Sequence, residues 1–213
     1  MRVLVACEFS GRVREAFRQY HGIDALSCDL LPCEYDKADT DYHLKMDVFD
    51  AIHLHGPWHL MIAFPPCTHL AVSGAHLFKS KKTDGRQQAA IDFFMALVNA
   101  PIPQIAVENP VGVMSTIYRK PDQYIQPYNF GEDASKKTCL WLKNLPPLIA
   151  TKDVPGRLVT SNGKQIRRWS NQTDSGQNKL SPSKTRAQDR GRTYLGIAAA
   201  MATQWGTLET QNL

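Results

Sequence analysis

The segment "FPPCTHLAVSG" (64–74) places a cysteine directly after two prolines and at the end of an apolar run. Because proline fixes the backbone dihedral φ, Pro65 and Pro66 predict a rigid loop in front of Cys67. Most free cysteines are inert core residues, which need no such loop. A cysteine held at a fixed point after a strand is typical of a nucleophile, whose reactive form is the thiolate.

A second candidate catalytic residue, Glu108, lies in "VENPVG" (107–112). A glutamate at a strand end is often a surface or capping residue, but the preceding "IAV" favours burial. Burial raises the pKa of a carboxyl group and allows it to act as a general acid near neutral pH. The sequence therefore predicts a thiol and a carboxylic acid at the ends of two strands.

The elements that must position these residues alternate along the chain. Short apolar runs predict strands at 2–9, 23–30, 58–64, 104–109 and 138–142, and helical periodicity predicts helices at 11–20, 87–100 and 192–206. This alternation predicts an α/β fold, a Rossmann-like and mostly parallel sheet with helices on both faces. Ligands of such sheets bind at the carboxyl ends of the strands, where Cys67 and Glu108 are expected.

Length and composition limit the other possibilities. The 213 residues suit a single domain, 1–213. Five cysteines, an odd number without a C-x-x-C pair, argue against a disulfide framework and a zinc site and favour a reducing cytoplasm. The histidines between 53 and 76 lack acidic or cysteine partners at ligand spacing, so we predict no metal. No apolar run approaches the ~18 residues of a membrane span, and we expect no signal peptide.

The positive charge is concentrated in one segment. Residues 151–192 hold ten Lys and Arg residues against three acidic ones, a net charge of +7 in a chain of net charge +5. This polar segment predicts a loop or small subdomain that binds a polyanion, or else a solvated loop. Within it, Arg167 and Arg168 precede Trp169, which either stacks on a base or packs on the protein.

In this order, these pieces resemble the S-adenosylmethionine-dependent cytosine-C5 DNA methyltransferase family, as a compact, phage-like member. The resemblance covers most of residues 1–140 and, more faintly, 192–206. The family's P-P-C loop matches at Cys67, its E-N motif at Glu108, and its F-[SA]-G loop at 9–11. It implies a class I methyltransferase-like fold with S-adenosylmethionine bound by Phe9, Ser10, Gly11, Asp29, Asp47, Pro65 and Gly196.

The resemblance also implies the roles of the catalytic residues. Cys67 would attack C6 of cytosine, Glu108 would hydrogen-bond or protonate N3, and C5 would take the methyl group of the cofactor. The family has an arginine that contacts the base, but "FGEDASKKTCLW" (130–141) offers only lysines, and we assign that role to Lys137 with Lys136 as the alternative. Contacts to nucleic acid are expected from Ser73, Asn109, Arg167, Arg168, Lys184 and Arg186.

One departure from the family concerns substrate recognition. Family members usually carry a sizeable target-recognition domain before the last motif, whereas here only the basic segment 151–192 occupies that place. We expect this segment to be a reduced recognition element for DNA, in the cytoplasm of a bacterium or a phage-infected host. Two alternatives stay open. The first is the same chemistry on a free cytosine nucleotide or a single-stranded nucleic acid. The second is a non-catalytic nucleic-acid-binding module on a methyltransferase fold.

Overall fold

The computed structural model describes residues 1–34, 41–72, 83–161, 163–183 and 185–208. Their strands are β1 (Arg2–Ala6), β2 (Asp24–Asp29), β3 (His43–Lys45), β4 (Leu60–Ala63), β5 (Gln104–Pro110), β6 (Gln123–Ile125), β7 (Thr138–Lys143), β8 (Arg157–Ser161) and β9 (Lys164–Arg168). Their helices are α1 (Arg12–His21), α2 (Val48–Leu54), α3 (Arg86–Val98), α4 (Met114–Ile117), α5 (Arg186–Gly191) and α6 (Leu195–Trp205).

Seven of the strands form one mixed sheet in the order β3-β2-β1-β4-β5-β7-β6. The first five run parallel, and β7 is antiparallel to both β5 and β6. The predicted α/β class with a mostly parallel sheet is therefore confirmed. Strands β1 and β4 are parallel neighbours, so the loops that follow them leave the same edge of the sheet.

The two faces of the sheet carry separate hydrophobic clusters. Successive side chains of a strand point to opposite faces, and accordingly Val3 and Val5 join one cluster while Leu4 and Ala6 join the other. The first cluster includes residues of α1 and α6, and the second includes residues of α2, α3 and α4. Helices thus cover both faces, and each buried Leu or Phe side chain contributes roughly 1.5–3 kcal/mol to stability.

All eight predicted elements are present, with ends shifted by a few residues. The elements that the sequence did not indicate are short, between three and seven residues, and three of them, β8, β9 and α5, lie in the basic segment. Strands β8 and β9 form a separate antiparallel hairpin. Among the described residues, no helix is long and apolar enough to cross a membrane.

Candidate active site

The loop after β1 turns sharply into α1. Cys7 has a φ of 58°, in the left-handed region that residues other than glycine rarely adopt. Directly after it, the buried carboxylate of Glu8 accepts hydrogen bonds from the backbone N–H groups of Val13, at 2.7 Å, and Arg14, at 3.3 Å. These are orphan donors of the first helical turn, so the Glu8 side chain caps α1. Burial raises the pKa of Glu8, whereas these hydrogen bonds lower it.

The loop after β4 is tied to the end of β5. Asn109 is 1% exposed, and its Nδ2 donates to the backbone carbonyl of Pro65 at 2.9 Å. Cys67 lies two residues beyond this carbonyl, partly buried, and its own carbonyl accepts from the N–H groups of Leu70 and Ala71. These bonds hold the segment 65–67, here called the proline loop, at both of its ends.

A close backbone contact joins the same two loops further out. Val113 donates to the carbonyl of Leu70, Val72 donates to the carbonyl of Val111, and Gly112 lies between these two bonds. A Cβ atom on Gly112 would lie 2.2 Å from the Leu70 oxygen. Only glycine therefore allows the two loops to approach this closely.

Glu108 and Thr138 line a cleft beside the proline loop, and Thr138 donates a side-chain hydrogen bond to Glu108. Burial raises the pKa of Glu108, while the positive charge of Lys136 and the Thr138 hydrogen bond lower it. The net effect is a raised pKa, so the protonated acid persists to a higher pH than for an exposed glutamate. This is the state that a general acid needs.

The charge balance around Cys67 favours the thiol at rest. Burial and the negative charge of Glu108 raise the pKa of Cys67, whereas Lys136 and Arg190 lower it. Because these groups act on one another through their charges, loss of the Glu108 charge would lower the pKa of Cys67. A proton on Glu108 and a thiolate on Cys67 therefore favour each other.

The predicted catalytic lysine, Lys137, and its alternative, Lys136, lie in different surroundings. Lys136 lines the cleft with Glu108, and its Nζ donates to the carbonyl of Arg190 at 2.8 Å. Lys137 is exposed and lies over the ring of Tyr124, with its Nζ 4.3 Å from the ring centroid. The structure thus brings Lys136, rather than the predicted Lys137, beside Cys67 and Glu108.

The cleft has a volume of about 320 Å³, open solvent at its mouth included. Its walls combine polar groups with apolar side chains from β6, from α6 and from Phe64, the residue after β4. The lining side chains outside the predicted set include Phe64, Ile125, Thr138, Tyr194, Ile197 and Met201. The resemblance placed the segment 194–196, which includes Tyr194, beside the cofactor. Sequence reasoning missed the other residues, and also Arg190, because no local pattern marks them; only the tertiary structure brings them together.

Two of the predicted cofactor residues are acids at the ends of neighbouring strands. Asp29 closes β2, and its Oδ1 accepts from the Leu31 N–H at 2.9 Å. Asp47 follows β3 and caps α2, with its Oδ1 accepting from the Phe49 N–H at 2.8 Å. Both carboxylates raise the pKa of Cys7, after the larger effect of its burial, so both lie near the end of β1.

The other predicted cofactor residues form two groups. The buried Ser10 hydroxyl donates to Glu8 at 3.2 Å, Gly11 precedes α1 with a φ of 70°, and Phe9 lies against Gly191. Gly196 starts the last helix, where a Cβ atom would lie 1.8 Å from the carbonyl oxygen of Phe130. Gly196 therefore packs the helix against that loop.

The predicted nucleic-acid residues are dispersed. Arg167 and Arg168 lie on the β8–β9 hairpin and Arg186 starts α5, while Ser73 and Lys184 fall outside the described residues. The Trp169 ring stacks on Tyr128 with centroids 4.0 Å apart, and its Nε1 donates to the carbonyl of Val154. Of the two interpretations of Trp169, packing on the protein is therefore confirmed.

Within the described residues, no group of three or more His, Cys, Asp or Glu side chains is arranged to hold a metal ion. No protein-family model matches the chain, and no curated protein matches it. The case for a function therefore depends on the geometry and electrostatics of the cleft.

Proposed function

We propose that this protein transfers a methyl group from S-adenosylmethionine to C5 of cytosine in DNA, through a covalent adduct on Cys67. The observation that carries the proposal is the 2.9 Å hydrogen bond from Asn109 to the Pro65 carbonyl, which joins the loop of Cys67 to the strand of Glu108 at neighbouring parallel strands. The charge of Glu108 also raises the pKa of Cys67. Lys136 acts on both groups. A thiol, a carboxylic acid of raised pKa and a cation are the groups that this addition chemistry requires.

The cap on α1 supports the choice of cofactor. In nucleotide-binding α/β folds the N-terminus of the first helix receives phosphate groups. Here the Glu8 carboxylate already accepts from those N–H groups. Because these N–H groups already donate to Glu8, they are not open to a phosphate group. The site therefore favours a cofactor without phosphates, and S-adenosylmethionine is one. The acids Asp29 and Asp47 nearby offer acceptors for ribose hydroxyls and favour a positively charged sulfonium.

The chemistry then uses groups of this chain. The Cys67 thiolate forms a bond to C6, the C5–C6 double bond opens, and Glu108 protonates N3 so that the ring stays neutral. When bound, S-adenosylmethionine would supply an electrophilic methyl group, and C5 would take it as the sulfur–methyl bond breaks and the neutral thioether leaves. A base removes the C5 proton, the electron pair restores the double bond, Cys67 leaves as a thiolate, and the N3 proton returns to Glu108. Lys136 lowers the pKa of both groups, so it stabilises the Cys67 thiolate and the Glu108 carboxylate that remains after the proton transfer.

The test uses radiolabelled S-adenosylmethionine with duplex DNA, single-stranded DNA, RNA and dCMP in parallel. We expect label in a cytosine-containing substrate, lost in Cys67→Ser and retained in Cys33→Ser, since Cys33 lies beside Arg14 outside the cleft. DNA with 5-fluorocytosine should trap wild-type protein covalently, because the fluorine cannot leave as a proton. A folded protein that labels none of the four substrates would contradict the proposal.

A further inference from the structure

The β8–β9 hairpin has two chemically different faces. Directly opposed residues of an antiparallel pair point to the same side, and the register pairs Leu158 with Arg167 and Thr160 with Gln165. These four residues form the outer face of the hairpin, and all of them are exposed. The half-buried Val159 and Ile166 are opposed on the inner face.

The arginines of the inner face are occupied within the protein. Arg157 forms an ion pair with Asp174 at 2.8 Å, and Arg168 donates from Nε to the Asp174 carbonyl at 3.2 Å. The Arg168 guanidinium also lies against Gly176, where a Cβ atom would lie 2.9 Å from its Nη2. These side chains hold the loop that follows the hairpin.

The arginine of the outer face is not bonded in this way to an acidic group of the described residues. In the described part of the chain, the Arg167 guanidinium has no ion-pair partner, and the neighbouring Leu158 is 64% exposed. In the major groove, arginine donates hydrogen bonds to guanine and glutamine bonds to adenine. A threonine hydroxyl can donate to or accept from a base edge, and an apolar side chain contacts the methyl group of thymine. The outer face thus carries side chains of the kinds that read base edges in the major groove.

The base of the hairpin is fixed to the segment that carries Lys136. Asn171 and Ser135 exchange two hydrogen bonds of 2.9 Å, between the Asn171 side chain and the Ser135 backbone. Ser170 donates from its backbone N–H to Asp133 at 3.0 Å. A ligand held on the hairpin is therefore held at a defined position relative to the cleft.

The surrounding charges also match a polyanion. Of the three acids of the basic segment, Asp174 pairs with Arg157, Asp189 pairs with Arg192, and Asp153 accepts from Asn129. The exposed cations Lys152, Lys164 and Lys179 have no acidic partner among the described residues. The segment therefore presents a net positive surface around the hairpin.

We propose that the outer face of the β8–β9 hairpin enters the major groove of duplex DNA and reads bases there, with Arg167 recognising a guanine. A two-stranded ribbon fits this groove, and five residues at about 3.4 Å each cover roughly five base pairs. This inference rests on the proposed function, since it takes DNA as the substrate. It makes two adjacent arginines unequal, because Arg167 contacts DNA and Arg168 contacts the protein.

The experiment selects bound sequences from a pool of randomised duplexes, using wild-type protein, Arg167→Ala, Arg168→Ala and Lys120→Ala. Lys120 is an exposed lysine outside the basic segment and controls for the loss of one charge. Wild type, Arg168→Ala and Lys120→Ala should enrich one motif with a fixed guanine. Arg167→Ala should lose that guanine and bind the motif about tenfold or more weakly. Gln165→Ala should relax a different position of the motif.

Other results would overturn the inference. If Arg167→Ala and Arg168→Ala weaken binding equally and keep the same motif, the hairpin contributes only charge. If the wild type enriches no motif, or binds single strands as tightly as duplexes, the ribbon does not read a groove. Trapping on a single strand with 5-fluorocytosine tests Cys67 separately, so failure of the interface is distinguishable from failure of the proposed chemistry.

Discussion

Asn109 donates from its side-chain Nδ2 to the backbone carbonyl of Pro65 at 2.9 Å, inside the protein and across 44 positions of the chain. This bond links the segment that presents Cys67 to the strand that carries Glu108. The Oδ1 of the same amide is buried without a hydrogen-bond partner among the described residues. Asn109 thus fixes the position of the nucleophile relative to the acid.

Replacing Asn109 by alanine should separate these two loops. Asn109→Ala leaves the buried Pro65 carbonyl without a donor, and we expect a loss of about 1–3 kcal/mol in the free energy of unfolding. Urea unfolding measures this loss. Asn129→Ala is the matched control, since its Nδ2 bond to Asp153 is exposed to solvent, and it should lose less. If the two variants lose the same free energy of unfolding, the buried bond to Pro65 stabilises the protein no more than the exposed one.

The reactivity of Cys67 should depend on the charge of Glu108. Glu108→Gln removes a negative charge that raises the pKa of Cys67. We therefore expect the iodoacetamide alkylation profile of Cys67 to move to lower pH in this variant, with mass spectrometry following the Cys67 peptide. The Cys33 peptide in the same sample is the internal control. A shift to higher pH, or an unchanged profile, would show that the two groups are not coupled.

The same substitution should change the pH dependence of stability. Burial raises the folded-state pKa of Glu108, so the native state binds more protons than the unfolded state above the ordinary pKa of a glutamate. The stability of the wild type is then lost as pH rises through the raised pKa. Glu108→Gln cannot ionise at this position. The difference in free energy of unfolding, variant minus wild type, should therefore increase from pH 5 to pH 8. Urea unfolding of both proteins at pH 5 and at pH 8 measures this difference. A difference that does not increase with pH would contradict the raised pKa of Glu108.

The two lysines after Ser135 offer a paired comparison of position. Lys136 acts on both Cys67 and Glu108, whereas Lys137 lies over Tyr124. Lys136→Met should therefore lower methyl transfer strongly, by roughly 10²-fold if it stabilises transition-state charge. It should also move the alkylation of Cys67 to higher pH. Lys137→Met should retain most of the activity, and the reverse ranking would restore Lys137 to the catalytic role.

Much of the architecture followed from local patterns. Alternating apolar runs and helical periodicity indicated the parallel strands, and the prolines before Cys67 and the "IAV" before Glu108 indicated two strand ends. These inferences succeed because burial of a strand or a helix face leaves a periodic trace in nearby residues. The short strands β3 and β6 leave no such trace, since three residues show no period.

By itself, the sequence determined the class of the fold, the edge of the sheet where chemistry is expected, and the basic character of residues 151–192. Only the tertiary structure decided between Lys136 and Lys137, joined Asn109 to Pro65, and assigned Arg167 and Arg168 to opposite faces of one hairpin. For the arginines the physical reason is that neighbours in sequence alternate in direction along a strand, so Arg167 and Arg168 meet different surroundings. The partners of Lys136 and Asn109 come from segments 54 and 44 positions away, and only the tertiary packing brings them into contact.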